Sequence, residues 1–438
     1  MRRLLAGGLA SAHQTGRPPA PPKTRTRPVY LAPSSNQAVS ISMKWLLPVL
    51  SVAFCAMSLL SIMRAPITRP AWLLAVIITE YGHWLLVLPL GLVLVAYGII
   101  EGAWRDTVFV LGAVTAVGLL RPAFTAWGMA GGLKQNLDRS FGPAPAAIPT
   151  WSWTRLVFGW RTRPGAVRTA IYSRPGGVEL ELDFYPAAPG ATGGRPAPCV
   201  IVIHGGGWDS GDRRQLAEYN HRLAARGWAV AAIDYRLAPR WIWPAQKEDV
   251  FAALRWLRSE ATTLGIDPAR LVLLGRSAGG QVAIASGYAA RDPGVCGVIS
   301  FYGMADMRFA YSVAREGDFL KSRQLLRGFL GGTPGEVPDN YGDASAHRLL
   351  NGNTPPTLLL HGALDTLVWR RHSDCLEADL RAAAVPHCHL ALPWATHAFD
   401  LNPDGPGGQL ADHAIMHFLG RVIALPAGGG ETTFGAGK

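Results

Sequence analysis

The sequence predicts an α/β architecture, a mostly parallel eight-stranded sheet flanked by helices, preceded by an N-terminal transmembrane helical region. Three observations carry this reading. From about residue 165 onward, short β-branched runs alternate with helical stretches, the pattern of a parallel sheet covered by helices. Hydrophobic residues make up 49% of the chain and charged residues only 16%, against a usual charged share of about 25%, and the shortfall is concentrated in the front third. The length of 438 residues exceeds the roughly 250–300 at which a single core stops growing, so two structural parts are expected.

The net charge of +12 does not point to nucleic acid. The excess is arginine scattered along the chain, with no run of five basic residues and no basic-aromatic interleaving. The one cluster, Arg2, Arg3, Arg17, Lys23, Arg25 and Arg27, lies in a Pro-, Ser- and Ala-rich segment without acidic residues, which reads as a disordered tail over residues 1–42 flanking a membrane span. Met43 and Lys44 open the next segment like a natural start, so an alternative start at Met43 stands beside the longer reading.

Residues 45–63 form an uncharged run of 19, long enough as a helix to cross the roughly 30 Å hydrocarbon layer. No A-x-A-like site follows it, which argues against a cleaved signal peptide. A second apolar block, 71–100, is interrupted by Glu80 and His83, leaving 84–100 as its spanning part, and a third, 107–120, is stopped by Arg121 and Pro122; at about 21 Å of helix it must extend towards Ala130, tilt little or lie at the interface. Eight of the 15 tryptophans fall between Trp45 and Trp160, several at the ends of these blocks, as in an interfacial aromatic belt. The membrane region is therefore drawn over 43–130 with three spans, followed by a linker over 131–160; a buried soluble helical domain is the competing reading. With residues 1–42 present, three spans put the rest of the chain outside; without them, the charge bias reverses. Glu80 and His83 receive no role.

Strands are expected at 167–172, 178–185, 199–204, 229–234, 271–275, 295–302, 357–361 and 387–392. Helices are expected near 216–226, 245–264, 278–289, 372–384 and 409–423. These define a catalytic domain over 161–425, with a flexible tail over 426–438. Of the five cysteines, Cys375 and Cys388 are the one pair with any prospect of bridging.

Two local patterns carry chemistry. The apolar strand 271–275 runs into Gly275-Arg276-Ser277-Ala278-Gly279-Gly280, a G-x-S-x-G turn before a helix, which presents a serine hydroxyl on a sharp bend. His204-Gly205-Gly206-Gly207-Trp208 follows another apolar strand, and a glycine run there lets backbone N–H groups face a developing oxyanion. These patterns, together with the segments 234–239, 244–249 and 329–332, resemble the esterase branch of the α/β-hydrolases that includes the hormone-sensitive-lipase-like enzymes and the bacterial feruloyl and acetyl xylan esterase-like (BD-FAE-like) proteins. The resemblance covers about residues 165–422.

The resemblance implies the α/β-hydrolase fold, an oxyanion hole formed by the amides of Gly206, Gly207 and Ala278, and ester hydrolysis through an acyl-enzyme. Arg276 departs from the aspartate usual in the lipase-like elbow and points to the feruloyl and acetyl xylan side. The apolar N-terminal block occupies the place of that branch's N-terminal cap. Chain order puts the acid and base after the serine. Asp365, in the loop after strand 357–361, stands where the family carries its acid, whereas Asp374 falls in a helix. His397, between the last strand and the last helix, is the expected base. His413 and His417 are four apart but lack the glutamate of a zinc-protease motif.

An insertion of about 45 residues, 303–349, is expected over the pocket, with Trp208 and Trp241 as candidate pocket residues. The resulting expectation is a membrane-anchored serine hydrolase acting on a small-molecule ester, with a lipid bilayer as its other partner and no cofactor, metal or nucleic acid. An amidase or peptidase on the same fold uses the same triad, and a catalytically silent scaffold is the rival from another class.

Overall fold

The computed structural model describes residues 35–144, 149–160 and 162–423, with side chains from residue 45. Residues 1–34 of the expected tail and the C-terminal segment 426–438 lie outside the described residues. Residues 35–42, read above as tail, are already helical.

Among the described residues, five α-helices precede the sheet: α1 (Ser35–Ser58), α2 (Arg69–Leu85), α3 (Val87–Ile99), α4 (Ala103–Phe141) and α5 (Trp153–Phe158). Thr68 caps α2 through its side chain, and Pro70 in the first turn needs no N–H partner there. Among the described residues, α4 is the one helix long and apolar enough to cross a membrane. The α2–α3 pair meets the same measure only when taken together across a 55° bend, and 45–61 is a shorter apolar helix.

Of the alternatives for the third block the chain takes extension past Arg121 and Pro122, and it corrects the expected linker after 131. Helix α4 continues through both for 39 residues. A proline removes one helical donor and crowds the preceding turn, a cost tertiary burial can offset. Here Arg121 is occupied by the Ser61 carbonyl at 2.5 Å, and the following turns are buried. Ala126, Ala130, Leu133, Leu137 and Phe141 recur at helical spacing and pack against the sheet core.

The eight expected strands all form: β1 (Arg168–Ser173), β2 (Leu180–Tyr185), β3 (Ala197–Ile203), β4 (Ala229–Ile233), β5 (Ile266–Arg276), β6 (Val295–Phe301), β7 (Thr357–Gly362) and β8 (His387–Leu392). They make one sheet in the order β1-β2-β4-β3-β5-β6-β7-β8, antiparallel at β1–β2–β4 and parallel elsewhere. Central strands alternate between faces: Cys199, Ile201 and Ile203 of β3 enter one core, Val200 and Val202 the other.

Helices α6 (Ala217–Ala225), α7 (Ala245–Ser259), the one-turn α8 (Ala261–Leu264) and α9 (Ala278–Ala290) connect the parallel strands. The insertion after β6 holds α10 (Met307–Val313), α11 (Ser322–Leu330) and α12 (Pro338–Asp343), and α13 (Arg371–Ala382) and α14 (Pro406–Val422) complete the chain. Strand order reverses at β3 and β5, whose carboxyl ends lie side by side with Ile203 opposite Gly275. That switch point is where ligands bind in open α/β sheets. All five cysteines are free, so the Cys375–Cys388 bridge does not form.

Candidate active site

Ser277 stands between β5 and α9 with φ 55° and ψ −119°, a conformation costly for a residue with a Cβ. The turn closes because its neighbours are glycines: a Cβ on Gly275 would lie 2.0 Å from the Gly279 carbonyl oxygen, and one on Gly279 2.2 Å from that of Ile203. The strain holds the Ser277 hydroxyl out at the carboxyl edge of the sheet, where it donates to His397 Nε2 at 3.0 Å. His397 Nδ1 lies 2.7 Å from Asp365 Oδ2. An ionised carboxylate only accepts, so the imidazole proton belongs on Nδ1, leaving Nε2 free to take one.

Asp365 is fully buried, and burial opposes its ionisation; His397 and His361 beside it nevertheless hold the carboxyl far below its usual range. Its other oxygen accepts the amides of Leu367 (2.8 Å) and Val368 (2.9 Å). His361 lies with Nε2 3.5 Å from Asp365 and 3.0 Å from the Val368 carbonyl, while Nδ1 meets Ser373 Oγ at 2.7 Å. It braces the loop that carries Asp365.

The glycine loop 205–207 crosses directly beside the elbow, where a Cβ on Gly205 would be 3.4 Å from that of Ser277. Gly206 has φ 124° and Gly207 φ 64°, and among the described residues neither N–H has an acceptor. Ala278 opens α9, so its N–H has no intrahelical partner. The segment 234–239 supports this loop. The Tyr235 hydroxyl donates to the His204 carbonyl (3.1 Å), the two rings stack at 4.2 Å, and Ala238 N donates to the Trp208 carbonyl (2.9 Å).

Above Ser277 lies a cavity of about 500 Å³, lined in part by Trp208, Leu325 and Leu326, with α10 and α11 of the insertion over it. Trp208 is stacked on Phe329 at 4.2 Å with its Nε1 donating to Gln281. Trp241 is not in the cavity. Arg236 and Arg240 lie over its ring at 5.2 and 5.6 Å, and it packs against Gly176, which corrects its expected role. His372, also in the wall, is pushed down to about 3, chiefly by burial, and is neutral in the physiological range.

Three groups were not legible as site residues. Arg276, buried beside Ser277, donates through Nε to the buried Asp400 at 2.5 Å, and Tyr302 donates its hydroxyl to the same carboxylate while its ring lies 4.3 Å from that of His397. Trp72 of α2 donates its indole N–H to the backbone carbonyl of His397 at 3.0 Å and lines the cavity with Ile67. Glu80, two turns further along α2, is fully buried and accepts from Trp394 Nε1 and Gly407 N. The helical spacing of Trp72 and Glu80 was the available signal; their partners, some 320 residues away, were not.

The BD-FAE family model matches residues 182–380. Esterase LipC of Mycobacterium tuberculosis is 34% identical over 244 residues, which cover 52% of this chain and 59% of LipC, so the match spans less than two thirds of that relative. The probable carboxylic ester hydrolase LipM of the same organism is 27% identical over 388 residues, covering 82% of this chain and 88% of LipM. Among solved structures, a bacterial heroin esterase superposes with a TM-score of 0.52 at 25% identity, covering 59% of this chain and 85% of that one. With the strand order, the elbow and the glycine loop, these likenesses make the chain an α/β-hydrolase of the esterase branch that includes the BD-FAE family and the hormone-sensitive-lipase-like enzymes.

Proposed function

We propose that this chain is a membrane-anchored carboxylic ester hydrolase that works through an acyl-enzyme. His397 takes the Ser277 proton as the oxygen attacks the ester carbonyl, and the amides of Gly206, Gly207 and Ala278 receive the oxyanion. Collapse expels the alcohol, which takes the proton from His397. Water then repeats the sequence, freeing the acid and restoring Ser277. Asp365 holds the imidazole tautomer and stabilises the imidazolium. The observation that carries the reading is the unbroken Ser277–His397–Asp365 chain, 3.0 and 2.7 Å, at the floor of an apolar cavity. The esterase names of LipC and LipM support the choice of ester.

The anchor would be α1, α3 and the first half of α4, whose outward side chains are apolar: Val49 is 62% exposed, Leu94 74%, Tyr97 77% and Val117 70%. A patch of that kind marks a membrane or protein contact. Helix α2 instead packs on the hydrolase core through Trp72 and Glu80.

The test is hydrolysis of p-nitrophenyl esters from acetate to palmitate by the full chain in detergent, beside Ser277→Ala. The full chain is required because α4 fills part of the sheet core. Wild type is expected to hydrolyse esters and the variant to lose at least about 10⁴-fold in kcat. Folded wild type inactive on every ester but active on anilides would replace the esterase reading with an amidase.

A further inference from the structure

The cavity above Ser277 is only partly enclosed by the hydrolase. Its lining includes Ile67, in the turn before α2, and Trp72 in its first turns, together with the partly exposed Leu401, from the segment after His397, and Leu320 of the insertion, which form an apolar rim. Leu401 is 42% exposed and Leu320 37%. The apolar surface does not stop at this rim. Leu73 and Ile77 continue it along the outer face of α2, 39% and 42% exposed, and Ile62 and Met63 continue it towards α1 at 50% and 56%.

Charge fixes where a lipid surface would meet this region. Arg64 and Arg69 stand exposed on either side of the turn that carries Ile67, and residues 45–79 contain no acidic side chain. Arginines flanking an apolar helix end place their guanidinium groups among phosphates while their stems stay in the apolar layer. The mouth of the cavity therefore lies at the headgroup level, and its lining combines the apolar Ile67, Trp72, Leu320 and Leu401 with the exposed polar Asp209, Ser210 and Arg315.

We propose that the substrate is a lipid-dissolved ester with a long hydrocarbon chain, which enters sideways from the bilayer between the start of α2 and the Leu401–Leu320 rim. This rests on the esterase and anchoring readings. A chain passing from lipid into the apolar cavity stays out of water throughout, whereas a route through solvent would expose each methylene. Trp72 joins this gate to the catalytic centre, since the same side chain lines the route and holds the His397 carbonyl.

The experiment reconstitutes the full chain in vesicles of phosphatidylcholine and phosphatidylglycerol and compares two esters: p-nitrophenyl palmitate dissolved in the bilayer and water-soluble p-nitrophenyl butyrate. Leu73→Glu with Ile77→Glu puts charge on the outer face of α2 without touching the cavity lining. Palmitate hydrolysis is expected to fall at least tenfold in this variant while butyrate hydrolysis stays within about twofold of wild type. Should the glutamates abolish both activities, the Leu73→Gln, Ile77→Gln pair is read in the same way. Wild type active on butyrate alone, or either pair keeping the wild-type ratio of the two rates, overturns lateral access and leaves the esterase reading standing. Wild type inactive on both esters overturns the esterase reading itself.

Discussion

At the scale of single residues, the Arg276–Asp400 pair ties together the two segments whose separation sets the Ser277-to-His397 distance. Arg276 immediately precedes Ser277, and Asp400 follows His397 by three residues; both are buried, with Arg276 also over the rings of Tyr219 and Phe301 at 4.9 and 4.8 Å. Removing one partner of such a pair strands the other charge, which typically costs about 3–5 kcal/mol. Arg276→Met is therefore expected to lower unfolding stability by about that amount in a denaturant titration. Adding Asp400→Asn should recover much of it, because asparagine carries no charge and still accepts from Tyr302. His361 acts on Asp365. His361→Ala should lower kcat about 10- to 100-fold with KM nearly unchanged, as Asp365 loses its brace, and His361→Gln, which retains a donor, should restore part of the rate. Ser277 was legible because its turn is written in six consecutive residues. Asp400 was not, because nothing local marks a partner 124 positions from Arg276 that only the folded sheet brings near.

At the scale of elements, the strands were legible and α4 was not, for a physical reason. Each strand is a short run rich in β-branched, aromatic or other apolar residues and bounded by turn residues, so its information is local. Helix α4 contains Pro122 and the Gly131-Gly132 pair, local signals for a break, and these are outweighed by the burial of Ala126, Ala130, Leu133, Leu137 and Phe141 against the sheet. The stripe was present in the sequence at helical spacing, but its partner surface was not. It follows that the hydrolase does not begin after the apolar block: the block's last helix is part of the hydrolase core. Leu137→Ala, at a fully buried position, is expected to destabilise the whole protein by about 2–5 kcal/mol, read as a lowered denaturation midpoint. A chain shortened to begin at Gly142 should be insoluble, since it bares the sheet face that α4 covers. A soluble, active shortened chain would show that another element can close that face.

At the scale of the whole molecule, the two halves of α4 meet different surroundings. Beyond Ala123 its inner side chains are buried with the sheet, whereas Phe109, Val110, Val114 and Val117 in the first half project outward and are 47–70% exposed. Together with the outer faces of α1 and α3 they form one apolar surface that only lipid, or another apolar partner, can cover. An electrostatic association through the arginines would dissolve near 1 M salt, where the Debye length shrinks to about 3 Å. Burial of this surface in hydrocarbon would survive, so the membrane fraction is expected to keep the protein through high salt and release it only to detergent. A charge placed in the band distinguishes burial in lipid from burial against a partner protein. Val114→Arg should add about 2.5–3.5 kcal/mol to insertion, moving the chain out of floated vesicles made of pure lipid. Ala383→Arg, at an exposed position on the far end of α13, should float like wild type. If Val114→Arg floats equally well, that face of α4 is not in hydrocarbon, and the anchor must be sought in α1 and α3 alone.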